Sequence, residues 1–128
     1  MSAIIAPKGS PLDTAIIGVE NLNQSIGFYR DLIGLSVSDP FDWRGKDFED
    51  IWHLPSGSHA TGSFCELKGC NAGRVLLLDF KAENKKLIRP KDTSRAYGLF
   101  NLNFYTDDIE SDTKKFESKG YRIWSKPT

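Results

Sequence analysis

Residues 14–40 read TAIIGVENLNQSIGFYRDLIGLSVSDP, and residues 101–127 read NLNFYTDDIESDTKKFESKGYRIWSKP. In the first stretch an apolar strand leads into an amphipathic helix that closes on Gly34. The second repeats that order more loosely and its helix closes on Gly120. A repeat of this length is a statement about architecture, because each copy is one supersecondary unit needing a neighbour to cover its apolar face. Two facing copies also make a cleft, which is where chemistry is expected.

Within the first copy, Leu12–Val19 alternates, with Ala15, Ile17 and Val19 on one face and Thr14, Ile16 and Gly18 on the other. Asn21 followed by Gln24 is a capping-box variant. Leu22, Ile26, Tyr29 and Ile33 then form a helical stripe at spacings of four, three and four. Gly34 supplies the left-handed residue that stops a helix. Leu35–Ser38 begins a second strand, which Asp39-Pro40 breaks.

Phe41–Leu54 (FDWRGKDFEDIWHL) mixes four aromatics with charges and predicts a loop lying over apolar surface. Pro55-Ser56-Gly57 is a turn, Ala60–Leu67 a strand and Lys68–Gly73 a polar turn. Arg74–Phe80 (RVLLLDF) is an apolar run short enough to be a strand buried on both faces. Lys81–Gly98 is polar, contains Pro90 and carries Lys81, Lys85, Lys86, Arg89, Lys91 and Arg95. It reads as a solvated connector or as a clamp for an anionic ligand. Phe100–Tyr105 predicts a strand, Ile109–Lys119 an aspartate-capped helix, and Tyr121–Trp124 a further strand. The helix places Ile109, Thr113, Phe116 and Gly120 at the stripe positions of the first copy.

The bulk properties set outer limits. Seventeen basic and seventeen acidic residues in 128 leave no net charge, so no global field favours nucleic acid or an anionic membrane. No run is long enough to span a bilayer. The start, MSAIIAPKGSP, lacks the charged and apolar regions of a secretion signal, so a cytoplasmic location is expected. Cys65 and Cys70 then read as reduced thiols, with a disulfide as the alternative. Two cysteines and two histidines make a structural zinc site improbable. No nucleophile arrangement and no glycine-rich phosphate loop is visible.

SIGFYRDLIGL (Ser25–Leu35) and YTDDIESDTKKFESKGY (Tyr105–Tyr121) resemble the vicinal oxygen chelate superfamily. That superfamily includes glyoxalase I, extradiol dioxygenases, fosfomycin and bleomycin resistance proteins and methylmalonyl-CoA epimerase. The resemblance runs from Leu12 onward. It implies an α+β fold of paired βαβββ modules curving around a cleft, with helices outside. The expected organisation is an N-terminal extension (1–11), a first module (12–80), a linker (81–98) and an incomplete second module (99–128), here only βαβ.

In the family a metal, where present, is held by His, Glu or Gln from the first and fourth strands of each module, and polarises a substrate with adjacent oxygens. Carried over, the first-strand position falls on Thr14, the fourth-strand position on Leu77 and the second module's first-strand position on Asn101. The last position would lie past Thr128. Asp79 is expected on the face of Leu77 and is the one carboxylate near the site. None of these is a usual ligand, so no metal or other cofactor is expected, with a divalent ion the less favoured alternative.

Further candidates for ligand contact are Asn103 and Tyr105, which share a face with Asn101 by alternation, though the two amides can equally satisfy each other. Trp43, Phe48 and Trp52 read as an aromatic lid or as ordinary packing. His53 reads as a base at the cleft rim or as an exposed loop residue; His59 carries less. No catalytic residue is assigned. The expectation is a small-molecule-binding protein without the usual metal. The alternatives are a metal-dependent lyase, isomerase or dioxygenase, or a non-catalytic half-protein. The expected partners are a small ligand and either a second copy or a missing C-terminal segment, with neither nucleic acid nor membrane.

Overall fold

The computed structural model describes residues 12–70, 72–82 and 101–128. The expected N-terminal extension and nearly all of the expected linker lie outside them. The chain divides into two compact units, Met1–Lys81 and Ala82–Thr128.

In the first unit, β1 (Thr14–Gly18) leads into α1 (Leu22–Gly27). The Asn21 side chain accepts from the Gln24 backbone N–H at 3.0 Å, satisfying one of the donors that a helix start leaves open. Phe28–Ile33 continues as a π-helical turn and ends at Gly34, whose φ of 86° is left-handed. The Tyr29 carbonyl accepts from both Gly34 and Leu35. This widened turn breaks the seven-residue return from Ile26 to Ile33. Leu22, Ile26 and Leu32 are the buried residues, and Ile33 is only half-buried.

Next come β2 (Ser36–Val37) and β3 (Phe41–Arg44), both antiparallel to β4 (His59–Glu66). Asp39-Pro40 interrupts this edge as the sequence predicts. Ser38 bridges the gap, because its N–H donates to the Phe64 carbonyl while its hydroxyl accepts from Phe64 N–H. The last strand, β5 (Arg74–Lys81), pairs antiparallel with β4 and parallel with β1. The sheet order is β1-β5-β4-β2, with β3 also on β4. Val75 through Asp79 are all buried, as a strand covered on both faces requires.

Residues 41–54 are not a loop. After β3 they form α2 (Lys46–Trp52). Phe48, fully buried, is the knob that fixes α2 to the sheet, packing with Ala60, Leu76 and Leu78. Its ring lies 5.2 Å from Trp43 and 5.8 Å from Phe80, and Trp52 meets Phe80 at 5.2 Å. Such edge and tilted contacts are those that aromatic quadrupoles favour. Trp43, Phe48 and Trp52 are therefore core residues of this unit.

In the second unit α3 (Ile109–Ser118) is capped by Asp108, whose carboxylate accepts from Ser111 N–H at 2.9 Å. No residue of α3 is buried. Neither 101–105 nor 121–124 forms a strand, contrary to expectation. A strand is defined by its ladder, and none of these residues has a partner strand among the described residues.

Candidate functional site

Strand register decides which side chains share a face. Thr14 pairs with Arg74, Ala15 with Val75, Ile16 with Leu76 and Ile17 with Leu77. Across β4, Leu76 pairs with Phe64 and Leu77 with Ser63. In-register neighbours point the same way and alternate residues point oppositely. One face therefore carries Thr14, Ile16, Gly18, Arg74, Leu76, Leu78, Phe64 and Phe41. The other carries Ala15, Ile17, Leu77, Asp79, Ser63 and Cys65.

Thr14 thus does not share a face with Leu77 or Asp79, contrary to the sequence-based placement. Leu77 is fully buried on the face that α1 packs against. Asp79, nearly buried, accepts from Lys81 Nζ at 2.7 Å. Asn101, Asn103 and Tyr105 belong to the second unit. There the Asn101 amide donates to the Asn103 side-chain carbonyl at 3.2 Å, and Tyr105 is exposed. His53 caps the C-terminus of α2 in a left-handed conformation, φ 52°, and is exposed. Trp43 and Trp52 belong to the aromatic core under α2.

Around Thr14 stands a group that sequence reasoning missed. Arg74 heads β5 directly opposite Thr14. Its backbone N–H donates to the Asp13 carbonyl at 2.9 Å and its Nη2 to the Asp13 carboxylate at 2.7 Å. Thr14 Oγ1 donates to the same carboxylate oxygen at 2.8 Å. These two hydrogen bonds, Arg74 first and Thr14 second, hold the Asp13 carboxyl below its ordinary pKa. The guanidinium carbon lies 5.4 Å over the Phe64 ring, and Phe64 stacks on Phe41 at 5.6 Å. Beside this cluster Ile16 is 42% exposed in the middle of β1. The only sequence signal was an arginine heading an apolar run, and its meaning depends on a register that joins residues 60 apart in the chain.

The donor set can be compared with the metal chemistry the resemblance implies. A threonine hydroxyl such as that of Thr14 is a poor ligand for a divalent ion, and Leu77 has no donor atom. Among the described residues no three His, Cys, Asp or Glu side chains come together to hold a metal. Thr14 and Leu77 thus do not supply the donors such an ion takes, and no chemical step is routed through one.

A second polar group lies on the opposite face. His59 Nδ1 is 2.9 Å from Asp42 Oδ1, and Asp42 also pairs with Arg44. Asp42 and His59 point to the Asp79 side of the sheet by register, away from Thr14.

The topology and module order are those of the Glyoxalase/Bleomycin resistance protein/Dioxygenase superfamily. The chain belongs to that superfamily: its family model matches residues 12–128. The fold is similar to that of a glyoxalase family protein from Bacillus cereus, with TM-score 0.76 at 20% identity, covering 92% of this chain and 77% of that one. It is also similar to the solved protein SMU.1112c, with TM-score 0.58 at 18% identity, covering 90% of this chain and 78% of that one. Among curated proteins none matches the chain by sequence. No helix among the described residues is long and apolar enough to cross a membrane.

Proposed function

We propose that this superfamily member is a small-molecule-binding protein that works without the family's metal, and that its ligand lies on the sheet face carrying Thr14, Ile16 and Arg74. The observation that carries the reading is the in-register pair of Thr14 and Arg74. Where the family's ion would be held, this chain offers a guanidinium tied to Asp13, beside the exposed apolar side chain of Ile16. A face of that kind, apolar with few fixed polar groups, suits an organic ligand. The partly buried Trp43 and Trp52 give the same unit an intrinsic fluorescent reporter.

Two measurements on the purified chain test the reading together. Elemental analysis after exposure to Fe, Mn, Ni and Zn salts is expected to find none retained at stoichiometry. Proton–nitrogen correlation spectra recorded against small aromatic and alicyclic compounds are expected to show shifts at Ile16 and Arg74 amides. Stoichiometric metal would instead favour a metal-dependent lyase, isomerase or dioxygenase. Shifts confined to residues away from β1 and β5 would reject this face.

A further inference from the structure

Independently of the Thr14 face, we propose that the opposite face of the same sheet carries a second binding site, for a phosphate group, in which Arg44, His59 and Lys81 supply the donors. Strand register brings the three together. Arg44 pairs with His59 across β3 and β4, and His59 pairs with Lys81 across β4 and β5. In-register side chains point the same way. The three therefore form one row, with the imidazole in the middle and a long cationic side chain on each flank. The next row, two residues along each strand, is Asp42, Thr61 and Asp79.

Each carboxylate is committed to this row. Asp42 gives one oxygen to His59 Nδ1 at 2.9 Å and the other to Arg44 Nε, and Asp79 accepts from Lys81 Nζ at 2.7 Å. What remains is a surplus of donors. Arg44 keeps both Nη groups, and Lys81 two of its three N–H, without a hydrogen bond among the described residues. His59 Nε2 has no partner there either. It is also open to solvent, since the enclosed, unpartnered side-chain atoms among those residues are Trp52 Nε1, Ser63 Oγ and Arg74 Nε. Arg44 and Lys81 are 65% and 45% exposed while Asp79 is 11%. Asp42 is the positioning residue: it engages Nδ1 and leaves Nε2 for the ligand.

The donor chemistry selects the ligand. With the imidazole neutral, two cations offset two carboxylates, so selectivity rests on directional N–H bonds and not on a diffuse field. Donors standing on three strands approach from different sides, which suits tetrahedral oxygens better than the plane of a carboxylate. The arginine fork matches phosphate in the same way. Charging His59 adds a third cation and makes Nε2 a donor, so binding takes up a proton. The charged groups around the imidazole are Asp42 and Arg44 from β3 and Asp79 and Lys81 from β5. Glu49 of α2 is turned to Gly57 N–H, at 2.7 Å, ahead of β4.

The test follows the His59 imidazole resonances of the whole chain at constant ionic strength, with sulfate, inorganic phosphate, phenyl phosphate and acetate as probes. Sulfate does not titrate near neutral pH, so any pH dependence of its binding comes from the protein. Sulfate is expected to shift the His59 resonances saturably and to raise the pH at which His59 titrates. It should bind about fivefold or more tightly near pH 5.5 than near pH 8.5. His59→Gln should remove that pH dependence, and Arg44→Met or Lys81→Met should each weaken sulfate about threefold or more. Both phosphate probes should outbind acetate, and the tighter of the two assigns the source as the free ion or a monoester.

Sulfate that leaves the His59 resonances and titration unmoved would overturn the site, and that measurement needs no variant. This is the result expected if the ion pairs serve only to hold the strands together. A pH dependence that survives His59→Gln would remove the imidazole from the site. Acetate binding as tightly as phosphate would overturn the ligand class.

Discussion

Asp42 and His59 lie on adjacent strands with 2.9 Å between Oδ1 and Nδ1, and the other Asp42 oxygen is taken by Arg44. The Arg44 hydrogen bond, then that of His59, lowers the Asp42 pKa from its ordinary value of 3.8. A carboxyl depressed in the folded state binds its proton more readily once the chain unfolds. Its stabilising effect is therefore present above the ordinary carboxylate pKa and is lost as pH falls through the lower folded value. Asp13, depressed by Arg74 and Thr14, acts in the same window. Urea midpoints recorded from about pH 5 down to about pH 2.5 should fall for the native sequence and fall less for Asp42→Asn. Equal pH slopes for the two proteins would show that this pair has no part in acid stability.

Gly62 is required for a steric reason and not for its backbone angles. A Cβ there would lie 2.7 Å from Leu78 Cδ2, 3.0 Å from the Leu77 carbonyl and 3.1 Å from Phe41 Cζ. Leu78 is fully buried and the carbonyl is part of the β4–β5 ladder, so neither has room to retreat. Gly62→Ala should destabilise by about 1–3 kcal/mol, the usual result of overpacking, read from denaturant midpoints. A neutral or stabilising result would mean that β4 and β5 separate at this point more easily than their packing indicates.

Phe48 is the side chain through which α2 joins the sheet. Truncating a buried aromatic removes its transfer energy and leaves a cavity, at about 3–5 kcal/mol. Phe48→Ala should lose stability in that range. It should also change tryptophan emission, because Trp43 packs edge-on against the same ring. A loss of stability with unchanged emission would indicate that Trp43 does not depend on Phe48 for its position.

What the sequence revealed, and what it hid, follow from one property of strands. β1 alternates, so its two faces are legible from the residues alone, and Gly34 and Asn21 mark the ends of the first helix by their own chemistry. β5 is apolar on both faces, and such a strand carries no alternation. A shift of one residue exchanges its faces. The family resemblance sets Leu77 beside Thr14, and nothing in the run of β5 itself corrects it, although Leu76 is the residue on that side. Arg74 gains its meaning only from the parallel pairing with β1, a non-local fact. In Phe41–Leu54 the period changes within fourteen residues. Phe41 and Trp43 are spaced two apart on β3, while Phe48 and Trp52 are spaced four apart on α2. Neither period persists long enough to stand out against the intervening charges. In the second unit the Asp108 cap is legible, but the strands expected on either side of α3 do not form among the described residues, because a ladder depends on a partner that local sequence does not name.

The two thiols should differ sharply in reactivity. Cys65 is buried on β4, and burial pushes its thiol up to about 11. The thiolate is the reactive form, so near neutral pH Cys65 is both covered and protonated. Cys70 is exposed in the turn after β4, where its N–H donates to the Leu67 carbonyl. Iodoacetamide at neutral pH should therefore modify one thiol per native chain, and mass mapping should place it at Cys70. Cys70→Ser should abolish native labelling, and Cys65 should be modified only with denaturant present. Rapid modification of Cys65 in the Cys70→Ser protein under native conditions would mean that α1 and its π-turn lift from the sheet often enough to expose it, contradicting their place as the fixed cover of this face.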